Sequence, residues 1–396
     1  MTPRAGFPGH RPRVPGTPSI DLRSPAAQII APASRERPAD AVLRGTLRRP
    51  PNLSAEDRRA ISHAVFSYYR WLGWLDPKRS LRAQLTHALE LADAFAKRPG
   101  PFSDVKLVQR SVAPWVQEQC EVTPAWARAI QKEPRPWLRA KKGQGTALAR
   151  KLGECWIPRP PALADAIEYH GDEDLLRSCE FHAGEFEIQD VASQAVGLIC
   201  EPKPGETWWD ACAGEGGKTL HLSDLMANKG LIWASDRAGW RLRQLKRRAG
   251  RAGCFNYRAV VWDGGPRLPT MTRFDGVLVD APCTGVGTWQ RNPQARWTTT
   301  PADVAELAAV QLNLLSHTAP AVKPGGRLIY AACTLTRAET EEVTRAFAER
   351  FPEFEPARIR SPWETSNQTP YLWLWPQDTG GNGMFLAVWR RKPAGG

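Results

Sequence analysis

The chain runs on two hydrophobic rhythms. From about residue 38 to 133, apolar residues recur at helical spacing. Ile61, Val65, Tyr68 and Leu72 form one stripe, and Leu81, Leu85, Leu89, Ala92 and Phe95 a second. A third runs Val105, Val108, Val112, Trp115 and Val116. Ser54 and Asp57 precede the first stripe as a capping box. Several short amphipathic helices predict a helical bundle. The prolines of "EPRPWLRAKK" (133–142) end this rhythm and mark a domain boundary. Residues 135–185, interrupted by "PRPP", predict a small α+β piece.

After 186 the rhythm changes. "TWWDACAG", "GLIWASD", "YRAVVWDGG", "FDGVLVDAPC" and "GRLIYAACTL" are short apolar runs that end in polar or Gly-rich residues, with helical stretches between them. This order predicts an α/β doubly wound sheet. The division expected is a disordered basic arm over 1–37, a helical domain over 38–134, an accessory subdomain over 135–185 and the sheet domain over 186–396. Ligands of such sheets sit beyond the carboxyl ends of the strands. Asp210, Cys212, Asp236, Asp263, Asp280, Cys283 and Cys333 all fall there, so they are expected to share one crevice.

The stretch "WWDACAGEGGKT" (208–219) invites two readings. An ATP loop needs G-x-x-x-x-G-K-S/T, but Cys212 stands where its first Gly must be. A methyl-donor site accounts for more residues. Gly214, Gly216 and Gly217 allow close approach of backbone to a ligand. Asp236, ending the second strand, suits a ribose diol, and Asp263, ending the third, lies near the expected adenine of S-adenosylmethionine.

Charge narrows the partner. The 396 residues carry a formal charge of +13 and a pI near 9.6, a surface that attracts polyanions. Arg237, Arg241, Arg243, Lys246, Arg247, Arg248 and Arg251 follow one another without an acid, as a phosphate-binding stripe would. Arg291 and Arg296 are expected to touch RNA near the target base, with Arg58, Arg59, Arg70, Arg79 and Arg82 as further candidates. No apolar run nears the roughly 18 to 20 residues that span a bilayer. Without such a run no membrane partner is expected, and no secretion leader is recognised, so no secretion is expected. The eight cysteines contain no C-x-x-C pair, which argues against a zinc knuckle and a disulfide framework. A reducing compartment, the cytoplasm, fits, with no metal and a monomer favoured.

The cysteines suggest the reaction. Carbon 5 of cytosine is a poor nucleophile. A thiolate added to carbon 6 leaves an enamine that can attack a methyl group. An acid near the ring nitrogen helps, and a base must later remove the carbon 5 proton. Cys283 in "DAPCTGVG" and Cys333 in "AACTLT" each sit at a strand end; Cys120, Cys155, Cys179, Cys200 and Cys254 lack such settings.

"DACAGEGGKT", "DAPCTGVGTWQRNPQARW" and "IYAACTLTRAETEEV" resemble the signature blocks of the Nol/Nop/Sun RNA cytosine-5 methyltransferases. "FEIQDVASQ" (186–194) and "LWPQDTGGNGMFLAVWRR" resemble the family's flanking blocks. "PWLRAKK" is similar to part of its accessory subdomain, and "DRRAISHAVFSYYRW" to the NusB-like domain of its RsmB-like branch. The resemblance implies a Rossmann-like methyltransferase domain after a NusB-like bundle. It implies Cys333 as nucleophile, Cys283 as the helper in product release, and Asp280 beside the base and the methionine end of the donor. It makes Cys212, Ala213, Gly214, Glu215, Gly216, Gly217 and Lys218 the S-adenosylmethionine loop. Asp236 and Asp263 would hold ribose and adenine, with Arg241 close by. Ribosomal RNA is the implied substrate, with transfer RNA as the alternative; the target base must be unstacked. The chain departs from the family at Glu215, Ala332 and Gln377, and none of the three removes a group the chemistry needs. A non-catalytic RNA-binding assembly factor and a nucleotide hydrolase are the competing readings. Intact Cys333, Cys283 and Asp280 argue against the first, and Cys212 against the second.

Overall fold

The computed structural model describes residues 23–48, 53–363 and 368–393. They fall into two compact units. The first comprises residues up to Ala113 together with Ile130–Lys132 and Asn292–Thr298; the second holds Pro114–Ala129, Glu133–Arg291 and the rest from Thr299.

The first unit is helical: α1 (Arg23–Ile30), α2 (Ala39–Leu47), α3 (Ala55–Trp71), α4 (Leu81–Lys97) and α5 (Asp104–Arg110). Both halves of the Ser54–Asp57 capping box close the start of α3. Ile61 and Val65 of α3 and Leu85 of α4 are buried together with Ile29, Ile30, Val42 and Leu43. Two expectations change here. Residues 1–22 of the expected arm lie outside the described residues, but 23–30 form a helix, because Ala26, Ile29 and Ile30 supply a short apolar face that packs into this core. In the third stripe Leu107 is buried and Val105 is 64% exposed, since the short helix α5 turns a different face inward.

The second unit carries two sheets. The smaller is antiparallel, in the order β2 (Cys155–Trp156), β3 (Ala166–Tyr169), β1 (Trp137–Ala140), β4 (Phe186–Ile188). Short helices α6 (Val116–Gln119), α7 (Pro124–Gln131), α8 (Gly145–Leu152) and α9 (Cys179–His182) accompany this part of the chain. The larger sheet contains β5 (Thr207–Asp210), β6 (Leu231–Asp236), β7 (Tyr257–Val261), β8 (Phe274–Asp280), β9 (Val322–Ala332) and β10 (Phe354–Pro356). After the small ribbon of β11 (Ile359–Arg360) and β12 (Gln368–Thr369), it is completed by β13 (Tyr371–Leu374) and β14 (Met384–Arg391). Its order is β10-β14-β9-β8-β5-β6-β7, with β13 also on β14. The ladders β9–β8, β8–β5, β5–β6 and β6–β7 are parallel, and β14 runs antiparallel to β9. The chain moves outward from β5 through β6 to β7, then returns to the other side of β5 as β8. The strand order therefore reverses between β5 and β8, where such sheets bind ligands.

The crossovers are helical: α10 (Val191–Cys200), α11 (Gly217–Leu225), α12 (Gly239–Ala252), α14 (Pro301–Thr318) and α15 (Glu341–Arg350). Alternate residues of a strand face opposite layers. Adjacent Trp208 and Trp209 show it: Trp208 packs with Ala195, Ile199 and Leu222 of α10 and α11, and Trp209 with Leu314, Val343 and Phe347 on the α14 and α15 side. The Trp208 indole also explains Gly276 on β8, where an added Cβ would fall 2.3 Å from a ring carbon. The short α13 (Ala295–Thr298) belongs to the first unit, and α16 (Pro376–Thr379) precedes β14. No helix among the described residues is long and apolar enough to cross a membrane.

Candidate active site

The parallel strands of the larger sheet end in polar groups at one edge. Asp210 closes β5, Asp236 closes β6 and Asp280 closes β8, while Cys333 follows β9 directly. The ladder continues one residue beyond each of two of them: Ala211 N donates to Leu278 O and Ala281 N to Ala331 O, both at 2.9 Å. The backbone therefore fixes where these side chains start.

The loop from Cys212 to Lys218 folds over this edge. Ala213 N donates to Ser235 O at 2.8 Å, and Gly214 N to Asp236 Oδ2 at 3.0 Å. Gly214 (φ +55°) and Gly216 (φ +86°) adopt left-handed backbone that glycine takes without a Cβ clash. Gly217 then opens α11. Asp236 Oδ1 accepts from Ala238 N at 2.7 Å. A carboxylate has about four acceptor positions, so two remain for hydroxyls such as a ribose diol. Arg241 lies 3.8 Å from Asp236 and stacks 5.5 Å over Trp240. Asp263 is exposed and accepts from Gly265 N at 2.8 Å in its own turn. Its neighbour Trp262 N donates to Asp236 O at 3.2 Å, which puts that turn next to the end of β6. Glu215 is exposed, and its carbonyl accepts from Arg248 Nη1 at 3.1 Å.

The centre is more deeply buried. Lys218 Nζ donates to Asp280 Oδ2 at 2.5 Å. Burial alone would lower the lysine, but the Asp280 charge and hydrogen bond together hold it above its ordinary value, as does the nearby Cys333. Lys218 thus stays a cation at the edge where Cys333 lies. Asp210 is fully buried. Thr219 Oγ1 donates to its Oδ2 at 2.7 Å, whereas Oδ1 has no hydrogen-bond partner. Burial pushes this carboxyl up to about 7, and Asp280 adds to the effect. An unpartnered buried oxygen beside a Gly-rich loop fits a site that receives a polar ligand. Desolvation pushes the Cys212 thiol well up.

Cys283 and Cys333 face each other at 3.2 Å between sulfurs. Contact with Cys333 is the first cause that raises the Cys283 thiol well above the ordinary range, then burial, with buried Glu339 adding to it. At this distance either thiol can donate to the other. All eight cysteines are free. Among the described residues no group of three or more His, Cys, Asp or Glu could hold a metal ion.

Five cation assignments change. Arg296 is fully buried in the first unit, where it donates to Gln131 Oε1 at 3.0 Å and to Ile130 O; it does not face RNA. Arg70 is buried as well. Arg291 donates to Asp190 Oδ2 at 3.1 Å and Arg135 O at 2.8 Å, and so braces the chain after Cys283. In the stripe on α12, Arg248 and Arg251 pair with Glu187 of β4 at 2.9 and 2.5 Å. Arg243, Lys246 and Arg247 remain exposed.

One buried residue beside the two cysteines carried no recognised signal in the sequence. Glu339 is fully buried, and its carboxylate accepts from Thr284 N (2.8 Å), Thr284 Oγ1, Thr334 Oγ1 (2.9 Å), Thr336 Oγ1 (2.7 Å) and Gln311 Nε2 (3.0 Å). Thr284 and Thr334 are the residues that follow the two cysteines. The available cue was an acid six residues after Cys333, beyond the hydroxyl-rich "CTLT".

Asp210 gives a pH signature. Its folded carboxyl, near 7, holds a proton that the unfolded chain releases at ordinary carboxyl values. Its contribution to stability is whole below about pH 4 and is lost as pH rises toward 7. Asp210→Asn should flatten that fall by a few kcal/mol, about 1.4 kcal/mol for each pKa unit. Urea unfolding of both chains at pH 4.5 and 7.5 checks this; parallel pH profiles would contradict it. Buried His221, pushed well down by burial, acts in the opposite direction in both chains and cancels in the comparison.

Comparison with known proteins places this arrangement. Residues 197–390 match the family described as 16S rRNA methyltransferase RsmB/F. The probable ribosomal RNA small subunit methyltransferase B of Bacillus subtilis is 37% identical over 219 residues, 54% of this chain and 49% of that protein. Its Synechocystis counterpart is 39% identical over 215 residues, 52% of this chain and 48% of that protein. The chain thus spans about half the length of these curated relatives. Among solved structures, that of the protein titled PH0851 shares the fold, with a TM-score of 0.76 at 23% identity over 95% of this chain and 100% of that one. A methyltransferase homologue from Pyrococcus horikoshii gives 0.58 at 25% identity over 76% of this chain and 99% of that one. Residues 197–390 are thus similar to the RsmB/F methyltransferase family, within the Nol/Nop/Sun group that the chain's loops resemble.

Proposed function

We propose that the protein transfers the methyl group of S-adenosylmethionine to carbon 5 of a cytosine in RNA, through a Cys333 adduct at carbon 6. The observation that carries this reading is the 3.2 Å pair of thiols at the ends of neighbouring parallel strands, beside the Lys218–Asp280 ion pair. Two half-buried thiols in contact suit a reaction that needs one sulfur to attack and a second to assist. Ribosomal RNA is the preferred substrate because the matched relatives are named for it. The helical unit is read as a NusB-like RNA-binding part, and residues 135–185 as the accessory subdomain. The protein would act as a monomer in the cytoplasm, where both thiols stay reduced.

Cys333 gives up its proton, and its Sγ bonds to carbon 6. The electron pair of the 5,6 double bond becomes available at carbon 5, which takes the methyl group. The donor's sulfur–methyl bond breaks, and S-adenosylhomocysteine leaves. A base removes the carbon 5 proton. The released pair re-forms the double bond and expels the Cys333 thiolate. Lys218 stabilises that thiolate, and Asp280 orients Lys218 beside the base. Cys283 is the helper at product release. Gly214 to Gly217 let backbone approach the donor, and Asp236 offers two free acceptor positions to its ribose.

The test is incubation with S-adenosylmethionine and unmodified total RNA, with 5-methylcytidine quantified by mass spectrometry. Cys333→Ala should lower the rate by at least about a thousandfold while the donor still binds, as expected for loss of a covalent nucleophile. Activity retained in that variant would overturn the nucleophile. No product from the wild type with donor bound would favour the assembly-factor reading.

The exposed α12 cations give a second test. Replacing Arg243, Lys246 and Arg247 with Gln should weaken RNA binding about equally across sequences. The slope of log affinity against log salt should fall by roughly 2, at about 0.7 for each single-strand phosphate left without its cation. Fluorescence anisotropy at several salt concentrations reads both; an unchanged slope would place the RNA elsewhere.

A further inference from the structure

We propose that Glu339 is a positioning residue whose buried carboxylate ties the loop of Cys283 to the loop of Cys333 and sets the distance between the two thiols. This rests on the reading above for its catalytic consequence, but not for its geometry. Cys283 sits three residues past β8 and Cys333 one past β9. Parallel pairing fixes the ends of those strands, yet nothing in the ladder fixes the loops beyond them. Glu339 does so. One oxygen takes Thr284 N and Gln311 Nε2; the other takes the hydroxyls of Thr284, Thr334 and Thr336. The residue after each cysteine is therefore anchored to the same carboxylate.

The surroundings reinforce the clamp. Gln311 Nε2 also donates to Pro282 O at 2.9 Å, immediately before Cys283. Tyr330 OH donates to Glu339 O at 2.6 Å and contacts Gln311 Oε1 at 2.9 Å. Gly287 N donates to Cys333 O at 3.1 Å, a direct bond between the two loops. The five donors to the carboxylate are all neutral. A carboxylate buried on neutral donors holds only while they converge on it, so the loops and the charge keep each other in place. The hydroxyls of Thr284 and Thr334 also lie 3.0 Å apart, a further polar contact between the two loops.

The test measures the separation of the sulfurs without RNA. Full-length wild type, Glu339→Ala and Glu339→Gln are treated with diamide, and the Cys283–Cys333 disulfide is followed by peptide mass spectrometry. Glu339→Ala should link about tenfold more slowly or worse, because disulfide formation demands a narrow geometry. Its affinity for S-adenosylmethionine should stay at the wild-type value, since Glu339 does not touch the 212–218 loop. Glu339→Gln keeps the shape and can donate to rotated hydroxyls, so it should recover most of the rate. In the methylation assay kcat should fall about a hundredfold in Glu339→Ala with KM for the donor unchanged, the signature of lost positioning. If Glu339→Ala fails to fold by circular dichroism, Thr284→Val with Thr334→Val removes the same ties and should slow linking likewise. Wild-type linking rates in Glu339→Ala, or in the double Thr variant, would overturn the proposal. A wild type that links as predicted but makes no 5-methylcytidine would sink the proposed function and leave the clamp standing.

Discussion

Everything in the site hangs from the parallel ladder across β9, β8, β5 and β6. Its register puts Asp280 opposite Ala331 and Asp210 opposite Leu278, so the three central strands finish within a residue or two of one another. A slip of one residue would turn every side chain to the other face of the sheet. The bulk on those faces forbids such a slip: Trp208 and Trp209 fill opposite layers, and Gly276 leaves room for the Trp208 ring. The chemistry at the edge is thus positioned by packing well below it.

Burial then decides what each polar group can be. Three aspartates lie close together at this edge with one lysine among them. Lys218 stays charged because Asp280 holds it, and Asp210 moves toward neutrality because it is fully buried, with its Oδ1 left without a hydrogen-bond partner. Asp236 remains well supplied with backbone donors and keeps acceptor capacity. Similar residue types at successive strand ends thereby acquire different chemistry from their neighbours.

Much of this was legible in the sequence where the signal is local. The five central strands, the Ser54–Asp57 cap and the glycines at positive φ each follow from a short stretch of residues. The two cysteines were legible as a pair because each closes an apolar run. What could not be read depends on contacts distant along the chain. Arg296 looked like an RNA contact from its place after Cys283, but it is buried with Gln131 and Ile130, 165 and 166 residues away. Arg248 and Arg251 looked like phosphate binders, yet Glu187 of the small sheet takes both. Glu339 was hidden because its meaning comes from threonines that only the fold gathers around it. Charge spacing along the chain states which groups exist; packing decides which of them are free.

The measurement closest to the centre of this account is a trap with RNA that carries 5-fluorocytidine. Fluorine at carbon 5 cannot be removed as a proton, so an adduct formed at carbon 6 persists after methyl transfer. With S-adenosylmethionine present, a stable protein–RNA species should form, and peptide mass spectrometry should place the nucleotide on Cys333. A nucleotide on Cys283, or no adduct from a chain that methylates ordinary RNA, would contradict the account.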